Sequence, residues 1–299
     1  MEYCDYPLHA WSRYRHILRR QCPRKAVLHC REARLGAEEY ASTAHRLIHD
    51  LRRRITVEQY IDRIFDEELR YWFYRSFTED DSYAVPDIKQ LNLRLNSRFD
   101  RDIERIFSGI SSGDHKFYIF RELEAQTVNI SALAARAQKR IDLYCHALQA
   151  ELWKLLLETP QLCRREIASP LAIQINELRC YCAPLWALER NGILWIIENN
   201  CDDTSALLHK FYAVNTLGRE PHLVRSFGYR RDSGEFYECG INLNVSEILR
   251  RISEDGAKWE ELIAFDLENI PVNHEHCPDC QYDFFCNKYK NQQKGVEYE

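Results

Sequence analysis

The sequence predicts a mixed α/β protein of the α+β kind, with a large helical first half ahead of a mixed central sheet. Three observations predict it. Apolar residues recur at three- and four-residue spacing through the first half, and beyond Pro160 they fall instead into short extended runs bounded by Asn, Asp and Gly turns. Cysteines stand at both ends, Cys22 in Cys22-Pro23-Arg24-Lys25 and Cys277, Cys280 and Cys286 in HCPDCQYDFFC.

At 299 residues the chain is long enough for one large domain or for a core with a helical insertion. Hydrophobic residues at 45% and charged residues at 29% are values of a folded chain and argue against disorder. The opening MEYCDYPLHAWSRYRH lacks the form of a signal peptide, and nowhere do about 18 apolar residues run together. A cytoplasmic protein with no membrane partner is expected.

Helices are predicted over Glu38 to Arg54, Thr56 to Phe77 and Pro86 to Phe107, the second from Tyr60, Ile61, Ile64, Phe65, Leu69 and Phe73 on one face. Val85-Pro86 and Ser108-Gly109 punctuate them, and Ser111-Ser112-Gly113-Asp114 marks a loop, so linker character is placed near residues 108 to 116. A long helix is expected from Ser131 to Leu157, stopped by Thr159-Pro160. Strands follow at Ala172 to Ile175, Leu178 to Cys182 and Ile193 to Ile197, the last after a hairpin turn at Arg190-Asn191-Gly192. Then come a helix over Thr204 to Leu217, strands over His222 to Tyr229 and Phe236 to Ile241 around the turn Asp232-Ser233-Gly234, and a helix over Val245 to Phe265. The chain reads as one integrated unit: a helical region 1–160, a sheet core 161–265 and a cysteine-rich tail 266–299.

Twelve cysteines without an export signal read as reduced thiols and metal ligands. Cys145, Cys163, Cys180, Cys182, Cys201 and Cys239 lie in or beside apolar runs, where a small buried thiol needs no further role. Thiolates at C-x2-C-x5-C spacing can converge on one centre, with Cys22 or Cys30 as a distant fourth ligand that ties the tail to the first helices. A zinc site of three cysteines with His274 or His276 meets the same spacing. The net charge of −5 argues against indiscriminate nucleic-acid binding, yet Trp11 to Arg54 holds 12 Lys and Arg against 4 Asp and Glu. Arg13, Arg15, Arg19, Arg20, Arg24 and Lys25 are therefore candidate phosphate contacts, the plainer reading being a solvated helix surface.

Ser12-Arg13-Tyr14 followed by Cys22-Pro23-Arg24, with Pro271 ahead of Cys277-x2-Cys280-x5-Cys286, resembles the RecB-like branch of the PD-(D/E)XK nuclease superfamily. The resemblance covers most of the chain, although Ala26-Val27 stands where an aromatic pair is common. It implies a restriction-endonuclease-like core and a [4Fe–4S] cluster on Cys22, Cys277, Cys280 and Cys286 that clamps the two ends. It also implies a catalytic motif in which two carboxylates hold Mg or Mn against the scissile phosphate and a lysine steadies the developing charge. Here the motif looks degenerate. Leu185 occupies the first aspartate position, and Ile196-Ile197-Glu198-Asn199-Asn200 keeps Glu198 but has Asn200 for the lysine. Leu208 replaces a glutamine four residues before Tyr212-Ala213. His45, with His49 one turn later, is a candidate for the family's upstream metal-binding histidine. Asp202, Asp203 and Lys210 are candidate displaced partners.

These readings lead to three expectations. The first is a catalytically silent nuclease-like iron–sulfur protein that binds DNA or joins a partner such as a helicase or nuclease subunit, in DNA processing or defence. The second is an active divalent-metal-dependent DNA exonuclease or endonuclease that uses Glu198 with relocated partners. A redox-responsive regulator is the third.

Overall fold

The computed structural model describes residues 7–75, 88–112, 119–120, 129–149, 154–155, 159–277, 280–283 and 285–286. Cys4, Val85-Pro86 and part of the expected linker at 108–116 lie outside them. A short strand β1 (Trp11–Ser12) runs into α1 (Arg13–Gln21), whose first turn is capped by the Ser12 side chain accepting from the Arg15 N–H. Cys22 then breaks the helix in an extended conformation, and Pro23 restarts it at the position where a missing N–H costs nothing. The run continues as α2 (Pro23–Val27), a π turn (Leu28–Glu32) and α3 (Ala33–Leu35). α4 (Thr43–Arg52) begins later than the expected Glu38, because Ser42 caps it by accepting from the His45 N–H.

Three long helices follow: α5 (Val57–Arg75), α6 (Ile88–Ser112) and α7 (Ile130–Leu148). Their apolar faces meet in one core that includes Ile61, Ile64, Phe65, Leu91, Leu95, Phe99, Leu133, Ile141 and Tyr144. The same core extends into Trp186, Ile197, Phe227 and Tyr229, so the helices pack onto the sheet and are continuous with it. α6 passes through Gly109 to Ser112, because one glycine in a helix held by packing costs only about 1 kcal/mol. α7 ends at Leu148 with Gln149 as its C-cap; residues 154–155 are again helical, and the rest of the expected stretch to Leu157 lies outside the described residues. β2 (Arg54–Ile55) and β3 (Ile119–Phe120) form a minimal parallel pair whose Phe120 joins the same core.

The second half forms two sheets. β4 (Arg164–Arg165), β5 (Leu171–Ile175), β6 (Leu178–Cys182), β7 (Trp186–Arg190) and β8 (Ile193–Asn199) come first. They are followed by α8 (Asp203–Leu217), β9 (Val224–Tyr229), β10 (Phe236–Cys239) and α9 (Val245–Ala264). One sheet has the order β1-β6-β5 and the other β10-β9-β8-β7-β4. β7 and β8 are an antiparallel hairpin whose turn, Asn191 at φ 52° and Gly192 at φ 76°, uses two left-handed residues to match strand twist. β8 and β9 are parallel, which requires a crossover, and α8 supplies it. A second core of Ile173, Leu194, Ile196, Leu207, Leu208 and Ile252 lies between the sheets and α8 and α9. Among the described residues no helix is long and apolar enough to cross a membrane.

The predicted strands are present with small shifts. β9 starts at Val224 because Glu220, Pro221 and Leu223 form a 3-10 turn, and β10 stops at Cys239 ahead of Gly240 at φ 70°. β1, β4 and β7 were not among the expected strands. β1 and β4 have two residues each, too few for any alternation to register.

Candidate metal centres

The two cysteine groups meet. Cys22 is buried at the α1–α2 break, Cys286 is buried in a cluster with Leu28, Ala33, Ile48, Leu51, Tyr282 and Phe285, and Cys280 packs against that cluster. Burial, together with the neighbouring Cys280, Cys22 and Cys277 and against the opposing charge of Arg24, pushes the Cys286 thiol up to about 12. The Cys280 thiol is raised mainly by burial, with Cys22 and Cys277 again among the groups acting on it. Cys30 is fully buried in a different apolar cluster, with Leu18, Ala26, Val27 and Trp259. His274 Nδ1 lies 3.7 Å from Cys277 Sγ.

Protein contacts lock this junction from both sides. Arg24 donates from Nε to the Ile270 carbonyl at 3.0 Å, and from one guanidinium nitrogen to the Ile270 and Glu268 carbonyls at 2.7 and 3.0 Å. The Arg24 N–H reaches the Pro271 carbonyl at 3.2 Å. His29, in the π turn, bridges Tyr14 and Tyr282 at 3.1 and 2.9 Å through its two ring nitrogens. Burial, reinforced by Arg52, Lys25 and Arg15, holds the His29 pKa down at about 3, so the ring is neutral.

A second group forms where β6, β8 and α8 come together. Cys182, Glu198 and His209 place their ligand atoms all within 4.8 Å of one another, and all three residues are buried. It is the one such set of three or more among the described residues, so no three of the tail-site thiols lie within that distance of one another. Thiolates on one zinc, with Zn–S bonds of about 2.3 Å, stand roughly 4 Å apart. The four irons of a cubane spread theirs further.

The other catalytic-motif positions are accounted for around Glu198. Leu185 is 4% exposed in the core with Trp186, Leu188 and Ile197, and its N–H reaches the Ile197 carbonyl at 2.7 Å. Asn200 sits in a left-handed turn at φ 52° with its N–H on the Tyr229 carbonyl. Asp202 caps α8 by accepting from the Ser205 N–H and takes Arg13 at 2.9 Å. Asp203 accepts the Gly240 N–H at 3.0 Å, and Lys210 lies 3.4 Å from the Gly240 carbonyl. Leu208 is fully buried. His45 is not part of the Glu198 group: its Nε2 lies 3.0 Å from Glu32, and His49 Nδ1 lies 2.9 Å from the Ala33 carbonyl.

The basic strip divides. Arg15 is buried and donates to the Pro7, Leu8 and Ala10 carbonyls, Arg24 belongs to the tail junction, and Arg13 pairs with Asp202. Arg19 pairs with Asp255 at 2.6 Å and, with Arg20, Arg251 and Lys258, lines an open cleft of 320 Å³ between α1 and α9 that also holds His16 and Glu254. Lys25 faces His29 and Cys280 electrostatically. Of the six basic residues, Arg19 and Arg20 therefore line the cleft, and α9 supplies the other cations.

Sequence reading missed Cys182 and His209. Cys182 was read as an inert buried thiol, and its burial agrees, as does that of Cys145, Cys180, Cys201 and Cys239. A usable signal was His209 itself, an imidazole directly after the buried Ala206-Leu207-Leu208 run. Comparison of the chain with protein-family models, curated proteins and solved structures gave no match.

Proposed function

We propose that the protein is a catalytically silent PD-(D/E)XK nuclease-like iron–sulfur protein that binds DNA and works beside a protein partner such as a helicase or nuclease subunit. The observation that carries this reading is the state of the Glu198 region. A phosphodiester nuclease needs carboxylates and a cation facing a solvent-accessible phosphate. Here Leu185 is sealed in the core, Asn200 turns in a tight bend, and Glu198, 6% exposed, faces Cys182 and His209. The antiparallel β7–β8 pair followed by α8 and parallel β9 supports the expected core arrangement.

Cys22, Cys277, Cys280 and Cys286 are the residues that would hold a [4Fe–4S] cluster. When bound, the cluster supplies a cross-link between the α1–α2 break and the tail. Arg24 and His29 hold the same two segments in register. DNA would lie along the α1–α9 cleft, where Arg19, Arg20, Arg251 and Lys258 outnumber Glu254 and Asp255.

The test is anaerobic purification with iron analysis and visible absorption, then DNA binding across a salt series and cleavage assays with Mg or Mn. Iron bound by the four cysteines, salt-sensitive binding with a log–log slope near −3 for about three neutralised phosphates, and no cleavage are expected. Metal-dependent cleavage that disappears in Glu198→Gln would refute the silent reading. Zinc in place of iron at the four cysteines would overturn the cluster and leave the DNA-binding test standing.

A further inference from the structure

We propose that Cys182, Glu198 and His209 bind a zinc ion in a closed structural site that joins β6, β8 and α8, separate from the four-cysteine centre. This goes beyond the proposed function, because it assigns a present role to the acid that the degenerate motif retains.

The case begins with two orphaned atoms. Glu198 Oε2 and His209 Nε2 are both buried without a hydrogen-bond partner, although they lie only 3.1 Å apart. If the pair were an ordinary buried ion pair, the imidazole N–H would point at the carboxylate, since burying both groups without that bond is costly. It does not. Two donors bound to one tetrahedral zinc at about 2.0–2.1 Å stand roughly 3.3–3.4 Å apart, close to the 3.1 Å found. Cys182 Sγ completes a face of three within 4.8 Å.

The surroundings orient the donors as ligands. His209 Nδ1 lies 3.1 Å from Ser226 Oγ on β9, which fixes the ring and leaves Nε2 as the ligating nitrogen. The other Glu198 oxygen lies 3.4 Å from the Ala183 N–H, which leaves Oε2 facing the imidazole. His209 and Ser226 are fully buried, and Cys182 is 4% exposed. This excludes the rival reading of a Cys-His-Glu nucleophile, because no substrate reaches a ring with no exposed surface.

Donor chemistry selects the metal. One thiolate, one imidazole and one carboxylate suit a borderline-soft ion such as zinc, whereas Mg and Ca require oxygen donors throughout. Charge balances as well: a carboxylate, a thiolate and a neutral imidazole around a dication sum to zero in a low-dielectric interior. Uptake converts the Cys182 S–H to a Zn–S bond and releases that one proton to solvent, with no change of oxidation state. The three protein donors leave the fourth position of a tetrahedral ion to a non-protein ligand.

The test separates this site from the tail. The full chain with Cys277→Ser and Cys280→Ser, which disables the four-cysteine centre, is purified and its zinc measured. It is then stripped with a chelator and titrated with Co²⁺ under reducing conditions. One zinc per chain as isolated and a thiolate-to-cobalt charge-transfer band on titration are expected, with the band lost on adding Cys182→Ser. Ser226→Ala added to the same tail variant, where Cys182, Glu198 and His209 are all kept, is expected to weaken metal affinity roughly 10- to 100-fold. Absence of stoichiometric metal from the tail variant, a band that survives Cys182→Ser, or unchanged affinity in Ser226→Ala would each overturn the proposal. None of these readouts depends on DNA or iron.

Discussion

Acidification should loosen the junction through one residue. His29 is neutral in the fold because burial and the charges of Arg52, Lys25 and Arg15 hold its pKa at about 3, against 6.5 when unfolded. The folded-state value is the depressed one, so the unfolded chain binds the extra proton first. Stability is complete above about pH 6.5, falls as pH drops towards 3, and then levels off. The full shift of about 3.5 units corresponds to at most roughly 5 kcal/mol, and the fall between pH 7 and pH 5 to about 2 kcal/mol. His29→Gln keeps a donor and an acceptor between Tyr14 and Tyr282 but does not titrate. Urea unfolding of the metal-free chain in reducing buffer, at half-unit steps from pH 7 to pH 5, should give a variant curve flatter by about 2 kcal/mol. Contributions from other groups cancel in the difference. Parallel curves for the two proteins would show that His29 carries no such linkage.

Three further outcomes follow from the same structure. Arg24→Ala removes a largely buried cation with three charge-assisted bonds to tail carbonyls; chemical denaturation should show a loss of about 2–4 kcal/mol, and limited proteolysis should cut first near residues 268–286. Leu185→Ala leaves a cavity beside Trp186 and Ile197 and should cost about 2–5 kcal/mol by the same assay, more than an active-site aspartate position tolerant of polar residues would lose. Gly234→Ala forces a left-handed turn and places a Cβ 2.2 Å from the Ala147 carbonyl oxygen, so a loss above about 1 kcal/mol in thermal unfolding is expected.

The helical half was legible because α5 and α6 bury one face each, so Ile61, Phe65 and Leu69 repeat at the helical period. The Asn191-Gly192 turn marked a hairpin ahead of β8 for a similar local reason, although β7 itself was not expected. Helix ends were less legible. The Ser42 cap and the Leu148 terminus depend on side-chain hydrogen bonds and packing that periodicity does not register. The tail cysteines announced themselves by spacing, whereas Cys182 and His209 lie 27 residues apart on a strand and a helix and are brought together by the α8 crossover. The basic segment misled in part. Arg15 and Arg24 count as charge in the sequence but serve as internal struts across backbone carbonyls.

That strut has a consequence for how the molecule is made. Arg24 and Ile270 are 246 positions apart, and His29 and Tyr282 are 253 apart. A ribosome must therefore add about 246 residues after Arg24 before its buried guanidinium finds its carbonyls. Until then the segment around Arg24 and His29 holds an unsatisfied cation and half of an apolar cluster, exposed to aggregation or to a chaperone. Such long-range closure makes folding slow. A chain cut short before residue 268 lacks every tail carbonyl that Arg24's side chain binds.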